Sequence, residues 1–182
     1  MSFKFRRLAA LFALTASVVA VSGCRNPFLP SADIQIYNVS FPDSTLSGVV
    51  EMPVFFAITP SYTTYRVKVS FWTRNKVDVN ITSVNLFYTD LAGNPVTAYA
   101  TSGGKTIKLM SRLYAPTTNN PDPASASNEL IFYALDTQVY QALLDPTLSP
   151  KAINCIMTFR GEDANGYDIK LTAQFSIKGY GF

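Results

Sequence analysis

Apolar and polar residues alternate with a period of two along most of the chain beyond residue 33. Ile34 and Ile36, then Val39 and Phe41, are spaced by polar neighbours. Tyr65, Val67, Val69 and Phe71 alternate with Arg66, Lys68, Ser70 and Trp72, and Val84, Leu86 and Tyr88 with Asn85 and Phe87. Ile107 and Leu109 follow, then Leu130–Tyr133, then Ile153–Phe159, then Ile169, Leu171, Ala173, Phe175 and Ile177. A period of two rich in β-branched and aromatic residues predicts half-buried strands. One stretch departs from it. In Thr137–Leu144 the apolar residues Val139, Tyr140, Leu143 and Leu144 fall on one helical face, Asp136 is placed to cap the start, and Pro146 prevents continuation.

Turn residues punctuate the strands. Asp90-Leu91-Ala92-Gly93-Asn94-Pro95 closes one, Gly103-Gly104 separates two others, and Asp163-Ala164-Asn165-Gly166 joins the last two. Asn-Gly supplies the positive φ that a tight hairpin needs. Ala115–Asn128 is the most obvious irregular segment, with three prolines and no large apolar residue, and reads as a solvated connection between strands. Seven or more strands with this punctuation predict an all-β fold, an antiparallel β-sandwich with one short helix, spanning residues 32–182 as one domain. The strand-DxxGN-strand and strand-DxNG-strand hairpins resemble those of bacterial immunoglobulin-like modules. The resemblance lies in this pattern and not in a Cys-Trp-Cys hallmark, since Trp72 is present but Cys155 has no second domain cysteine to pair with.

The amino terminus follows a different rule. Lys4, Arg6 and Arg7 precede an apolar run, Leu8 to Val21, interrupted only by Thr15 and Ser17. A charged segment followed by a run of this length has the layout of a secretory signal. The run ends in Val21-Ser22-Gly23-Cys24, which resembles the lipobox of bacterial lipoproteins. The resemblance implies that residues 1–23 are a cleaved signal peptide, cut between Gly23 and Cys24. It also implies that Cys24 carries a diacylglyceryl group and, on its new amino terminus, a further acyl chain such as palmitate. Two or more chains anchor stably, at about 0.8 kcal/mol per buried methylene. Arg25, where the enterobacterial family places Asp to retain lipoproteins in the inner membrane, implies the outer membrane, facing the periplasm or the cell surface. Residues 24–31, with Pro27 and Pro30, read as a short extended tether of roughly 25 Å at most.

Loss of the signal changes the charge balance. It removes three cations and no acid, so the precursor's +3 vanishes and the mature chain carries equal numbers of Lys+Arg and Asp+Glu. With no basic run downstream, the sequence offers nothing for nucleic acid. The chain also has no His, which removes His-based triads, Cys–His pairs and His metal sites. Cys155, between Ile153 and Met157 on a strand, reads as a small buried hydrophobe. The sequence therefore predicts no catalytic residue, no cofactor and no enzyme.

Some weaker signals remain. Asp163, Asn165 and Asp168 lie where Asp-x-Asn-Gly would begin a calcium loop, but the later Glu is missing and Asn-Gly is the expected hairpin sequence, so no metal is expected. The terminal Phe182 is similar to the end of outer-membrane barrels. The alternate positions upstream, Lys178, Ser176 and Gln174, do not suit a lipid-facing strand. Asn38-Val39-Ser40 and Asn80-Ile81-Thr82 match glycosylation sequons and read as strand sequence. The function expected is a membrane-anchored, non-enzymatic structural or protein-interaction module of the cell envelope, held in the bilayer by Cys24 and recruiting an envelope protein. The alternative is a glycan or small-ligand binder using Trp72 and Tyr62, Tyr65, Tyr99, Tyr114, Tyr133 and Tyr167 as stacking surfaces.

Overall fold

The computed structural model describes residues 29–42, 49–53, 66–97, 102–116, 122, 127–134 and 137–180. The signal peptide, Gly23 and Cys24, together with Tyr62, Tyr65, Tyr99, Asp136 and most of the Ala115–Asn128 connection, lie outside those residues. Within them the chain forms eight strands: β1 Ile34–Ser40, β2 Val49–Pro53, β3 Arg66–Thr73, β4 Val79–Thr89, β5 Lys105–Leu113, β6 Ser127–Tyr133, β7 Ala152–Asp163 and β8 Asp168–Tyr180. One helix, α1 Thr137–Leu144, links β6 to β7 and buries Val139, Tyr140 and Leu143, the face its spacing predicts.

The strands form two sheets, ordered β1-β3-β6 and β2-β8-β7-β4-β5. Aromatic rings join them. Phe159 on β7 meets Phe71 on β3 at 5.2 Å and Phe132 on β6 at 5.9 Å, both edge-to-face. Phe175 on β8 meets Phe41, just after β1, at 5.1 Å. Such pairs add about 0.5–1.5 kcal/mol to the burial of each ring. Around them Val67, Val69, Val84, Leu86, Met157 and Ile177 are fully enclosed. The hydroxyl of buried Tyr88 on β4 reaches across to donate to the Ala134 carbonyl at the end of β6, so the one polar atom of that ring is satisfied.

Two details of the apolar pattern have a structural cause. In β1 the inward positions switch from even (Ile34, Ile36) to odd (Val39, Phe41). Ile36 pairs with Phe71 and Asn38 with Ser70, so Tyr37 is an extra residue bulged out of the ladder. In β4 the inward positions switch from Val79 and Ile81 to Val84, Leu86 and Tyr88. Ile81 faces Gly161 and Ser83 faces Arg160, leaving Thr82 unpaired with its hydroxyl donating to the Arg160 carbonyl at 3.2 Å. The bulge brings β7 so close that a Cβ on Gly161 would lie 2.0 Å from the Asn80 carbonyl oxygen. Only glycine fits there.

The expectation of a wholly antiparallel arrangement is corrected at one edge. β2 runs parallel to the end of β8, Val49 opposite Ser176 and Pro53 opposite Tyr180. β1 lies in one sheet and β2 in the other, so the chain changes layers between them and does not fold back as a hairpin. Pro53, which cannot donate to a ladder, is tolerated because β2 is an end strand.

Removing the ring at the centre of the inter-sheet contact is expected to be costly. Phe159→Ala should lower the unfolding free energy by about 3–5 kcal/mol in a urea titration. Thr172→Ala, at an exposed position of β8, should stay within about 0.5 kcal/mol of the parent.

Candidate functional site

The β3–β4 turn, the exit of β5, the entry of β6 and the β7–β8 turn lie at one end of the two sheets, beside the start of β1. The register shows this directly: Ile34 faces Thr73, Trp72 faces Ser127, Val79 faces both Leu113 and Asp163, and Glu162 faces Asp168. The segment Leu29–Asp33 reaches the fold at this end, and each of its five residues is hydrogen-bonded to it.

The β7–β8 turn holds the first part. Gly166 takes a φ of 83°, closing the tight turn that Asn-Gly predicts. Asp163, only 3% exposed, turns its carboxylate inward. Its Oδ1 accepts from the main-chain N–H groups of Asn165 (2.8 Å) and Tyr167 (2.9 Å), and its Oδ2 accepts from Ala32 N–H (2.8 Å). Asn165 then donates from Nδ2 to the Pro30 carbonyl at 2.7 Å, and the Tyr167 hydroxyl donates to the Leu29 carbonyl at 3.2 Å. From the other side Asn75 donates to the Ser31 carbonyl (2.8 Å) and accepts from Asp33 N–H (2.9 Å). Arg74 N–H donates to the Asp33 carbonyl at 2.8 Å, and its guanidinium lies 3.6 Å from the Asp33 carboxylate. Two turns thus form a clasp around five consecutive residues.

A second aspartate braces the same end. Asp78 accepts from Ala115 N–H at 2.7 Å and from Arg112 Nη2 at 2.5 Å and Nε at 3.1 Å, while its own carbonyl accepts from Ala164 N–H. The Ala115 bond, and then the Arg112 bond, hold its carboxyl below the ordinary value of 3.8. Nearby, Asn128 bonds both the N–H and the carbonyl of Tyr114, each at 3.0 Å, and Thr73 donates to that carbonyl at 3.3 Å. Arg112 lies over the Tyr114 ring at 5.5 Å and Arg74 over the Trp72 ring at 5.1 Å.

The residues singled out from sequence fall as follows. Asp163 and Asn165 are brought together, but their side-chain groups serve the turn and the segment ahead of β1. Asp168 is exposed at the start of β8, and no group of three or more metal-binding side chains occurs among the described residues. Cys155 is buried, and burial raises its thiol pKa far above the ordinary value. Of the described candidate aromatics, Trp72, Tyr114 and Tyr167 lie at the clasped end and Tyr133 at the other. Tyr114 and Tyr133, 65% and 56% exposed, sit at opposite ends of the strands, and the Tyr167 hydroxyl belongs to the clasp. At the far end an open groove of about 360 Å³ is lined by Asp90, Leu91, Ala92 and Thr147–Pro150, and no aromatic lines it. Sequence reasoning missed Asn75, Asn165 and Tyr167 as partners of the tether; no local signal points to residues as far as 138 positions away.

No family model matches the chain, and no curated protein matches it. Among solved structures it is similar to a Northeast Structural Genomics Consortium target, SoR45, at TM-score 0.39 and 9% identity, over 84% of this chain and 89% of that one. It is also similar to the Pseudomonas fluorescens alkylpurine DNA glycosylase AlkC, bound to DNA containing an abasic site analog. That match has TM-score 0.34 and 13% identity, over 81% of this chain and 31% of the glycosylase. The glycosylase is an enzyme, and it overturns the flat expectation that this chain is not one. The chemical reason is that a chain without His still holds carboxylates able to act as acid or base. At this TM-score the likeness assigns no activity.

Two outcomes test the clasp. Asp163→Ala deprives three main-chain donors of a charged acceptor and should cost about 1.5–3 kcal/mol in urea, whereas Asn165→Ala, which loses one neutral bond, should cost about 0.5–1.5 kcal/mol. The depressed pKa of Asp78 means that its ionised form stabilises the native state. That contribution is complete above pH 3.8, the ordinary value, and is lost as pH falls through the lower native one. In acid titrations followed by circular dichroism, Asp78→Asn should be less stable than the parent at neutral pH. The gap should narrow as pH drops below 3.8.

Proposed function

We propose that this chain is an exported bacterial lipoprotein. In this reading Cys24 is the acylated first residue of the mature protein, and an immunoglobulin-like β-sandwich is displayed at a membrane as a structural or protein-interaction module of the cell envelope. The observation that carries the reading is the clasp. Residues 29–33, which follow the lipobox-like Val21-Ser22-Gly23-Cys24, are gripped by side chains from two separate turns. Such bonds suit a tether that fixes a domain to an anchor.

The module half of the reading draws on β5. It is the end strand of the larger sheet and nine residues long, with Lys105, Lys108 and Arg112 and no acidic residue. Met110 on this strand is fully exposed. End strands are where a partner strand can add, and cations on them restrain indiscriminate pairing. The outer membrane, through Arg25, is the favoured site of anchoring.

Mass spectrometry of protein purified from the membranes of its native host tests the anchor. The expected result is an amino-terminal Cys24 bearing diacylglyceryl and amide-linked acyl groups, with Cys24→Ser leaving the membrane fraction. An unmodified Cys24, or cleavage at another bond, overturns the reading. A photocrosslinker replacing Met110 in living cells tests the module: one discrete adduct is expected, abolished by Leu109→Pro on the same strand.

A further inference from the structure

We infer that the clasped end of the domain is a bilayer-facing surface, seated in the lipid headgroup layer that holds the acyl chains of Cys24, and that the opposite end points away from the membrane. This rests on the lipoprotein reading and gives it a geometry. Four residues lie between Cys24 and Leu29, the first clasped residue, so at full stretch the five steps of the leash span about 17 Å. β8 has thirteen residues and is about 40 Å long. A domain held by a leash shorter than half its own length cannot stand on its far end. The groove at Asp90–Ala92 and Thr147–Pro150, together with α1, is carried away from the bilayer.

The chemistry of the clasped end suits headgroups. Leu29 is 44% exposed at the point where the chain enters the fold. On one side Arg74 lies over half-buried Trp72, and on the other Arg112 lies over exposed Tyr114. Trp72 and Tyr114 belong to different sheets, yet the Thr73 hydroxyl bonds the Tyr114 carbonyl, so both arginine–aromatic pairs lie at this end. Lys76, on the β3–β4 turn between them, is exposed. Trp and Tyr concentrate at membrane interfaces because an apolar ring and a polar edge match the headgroup boundary. Arg74 and Arg112 each face one aspartate, Asp33 and Asp78, and a guanidinium with five N–H donors can still reach a lipid phosphate while its stem stays on apolar surface.

Trp72 is the only tryptophan of the chain, so its emission reports this end alone. The lipidated protein is reconstituted in phosphatidylethanolamine–phosphatidylglycerol vesicles containing a headgroup spin-labelled phosphatidylcholine. A second preparation carries a fluorophore on Ala92→Cys at the far end, a position labelled selectively because Cys155 is buried. The expected result is loss of Trp72 emission with the far-end probe unchanged. Double substitution Asn165→Ala with Tyr167→Phe, which frees Leu29 and Pro30 and so lengthens the leash by two residues, should reduce the quenching of Trp72 without releasing protein from the vesicles. Equal quenching of both probes means a domain lying on its side and overturns the inference, as does quenching of neither. In those cases, vesicle flotation and acyl-Cys24 in the mass spectrum leave the lipoprotein reading standing. Failure to float, with unmodified Cys24, overturns both.

Discussion

The carboxylate of Asp163 is almost wholly withdrawn from water, and it replaces its hydration with three main-chain N–H groups. A buried carboxylate is tolerable only when such donors are in place. Two come from its own turn and one from Ala32, so the turn cannot reach its native shape with the charge satisfied unless the segment ahead of β1 is docked. The dependence runs both ways: Asn165 and Tyr167, positioned by that turn, supply the bonds that fix Leu29 and Pro30. Hairpin geometry and attachment of the leading segment are thus one structural event, centred on a single side chain.

The same chemistry recurs around the molecule. Asp78 gathers Ala115 and Arg112, Asp90 gathers Asn94, and Asp145 gathers Thr147, and in each case bonds to the ionised form lower the carboxyl pKa. Aspartates that look available for chemistry in the sequence are spent on holding turns. This explains why a scattered set of acids makes no concave acidic centre in the described residues. It also explains why the distal groove, lined by Asp90, offers a carboxylate already engaged by Asn94.

Much of the fold was legible because burial writes itself into the chain with a period of two. The runs in β3, β4, β7 and β8, the face of α1 and the Asn165-Gly166 turn could be read from residues alone, as could the division of the described residues into strands and one helix. β2 was not, since Val49-Val50-Glu51-Met52-Pro53 is short, lacks alternation and ends in proline. Its parallel partner is supplied by β8, more than a hundred residues later. The parity switches at Tyr37 and Thr82 were not read from the sequence, and only pairing shows them to be bulges. Asp163 and Asn165 drew notice as the start of a calcium loop, whereas in the structure the Asp163 carboxylate accepts main-chain bonds and Asn165 Nδ2 donates. Their partners are amide and carbonyl groups of a distant segment, which carry no residue-type signature.

Pro30 and Asn165 are 135 positions apart, and Leu29 and Tyr167 are 138 apart. Contacts of that separation carry a loop-closure cost, and neither can form before residues 165–167 have been made. As the protein is synthesised, the grip on Leu29–Asp33 cannot close until the last hairpin has emerged, when the remainder of the domain is already made. The stretch ahead of β1 is therefore held at a definite angle only after the β7–β8 hairpin has been made. The order of synthesis itself separates a period when this segment is unheld from a period when it is fixed to the domain.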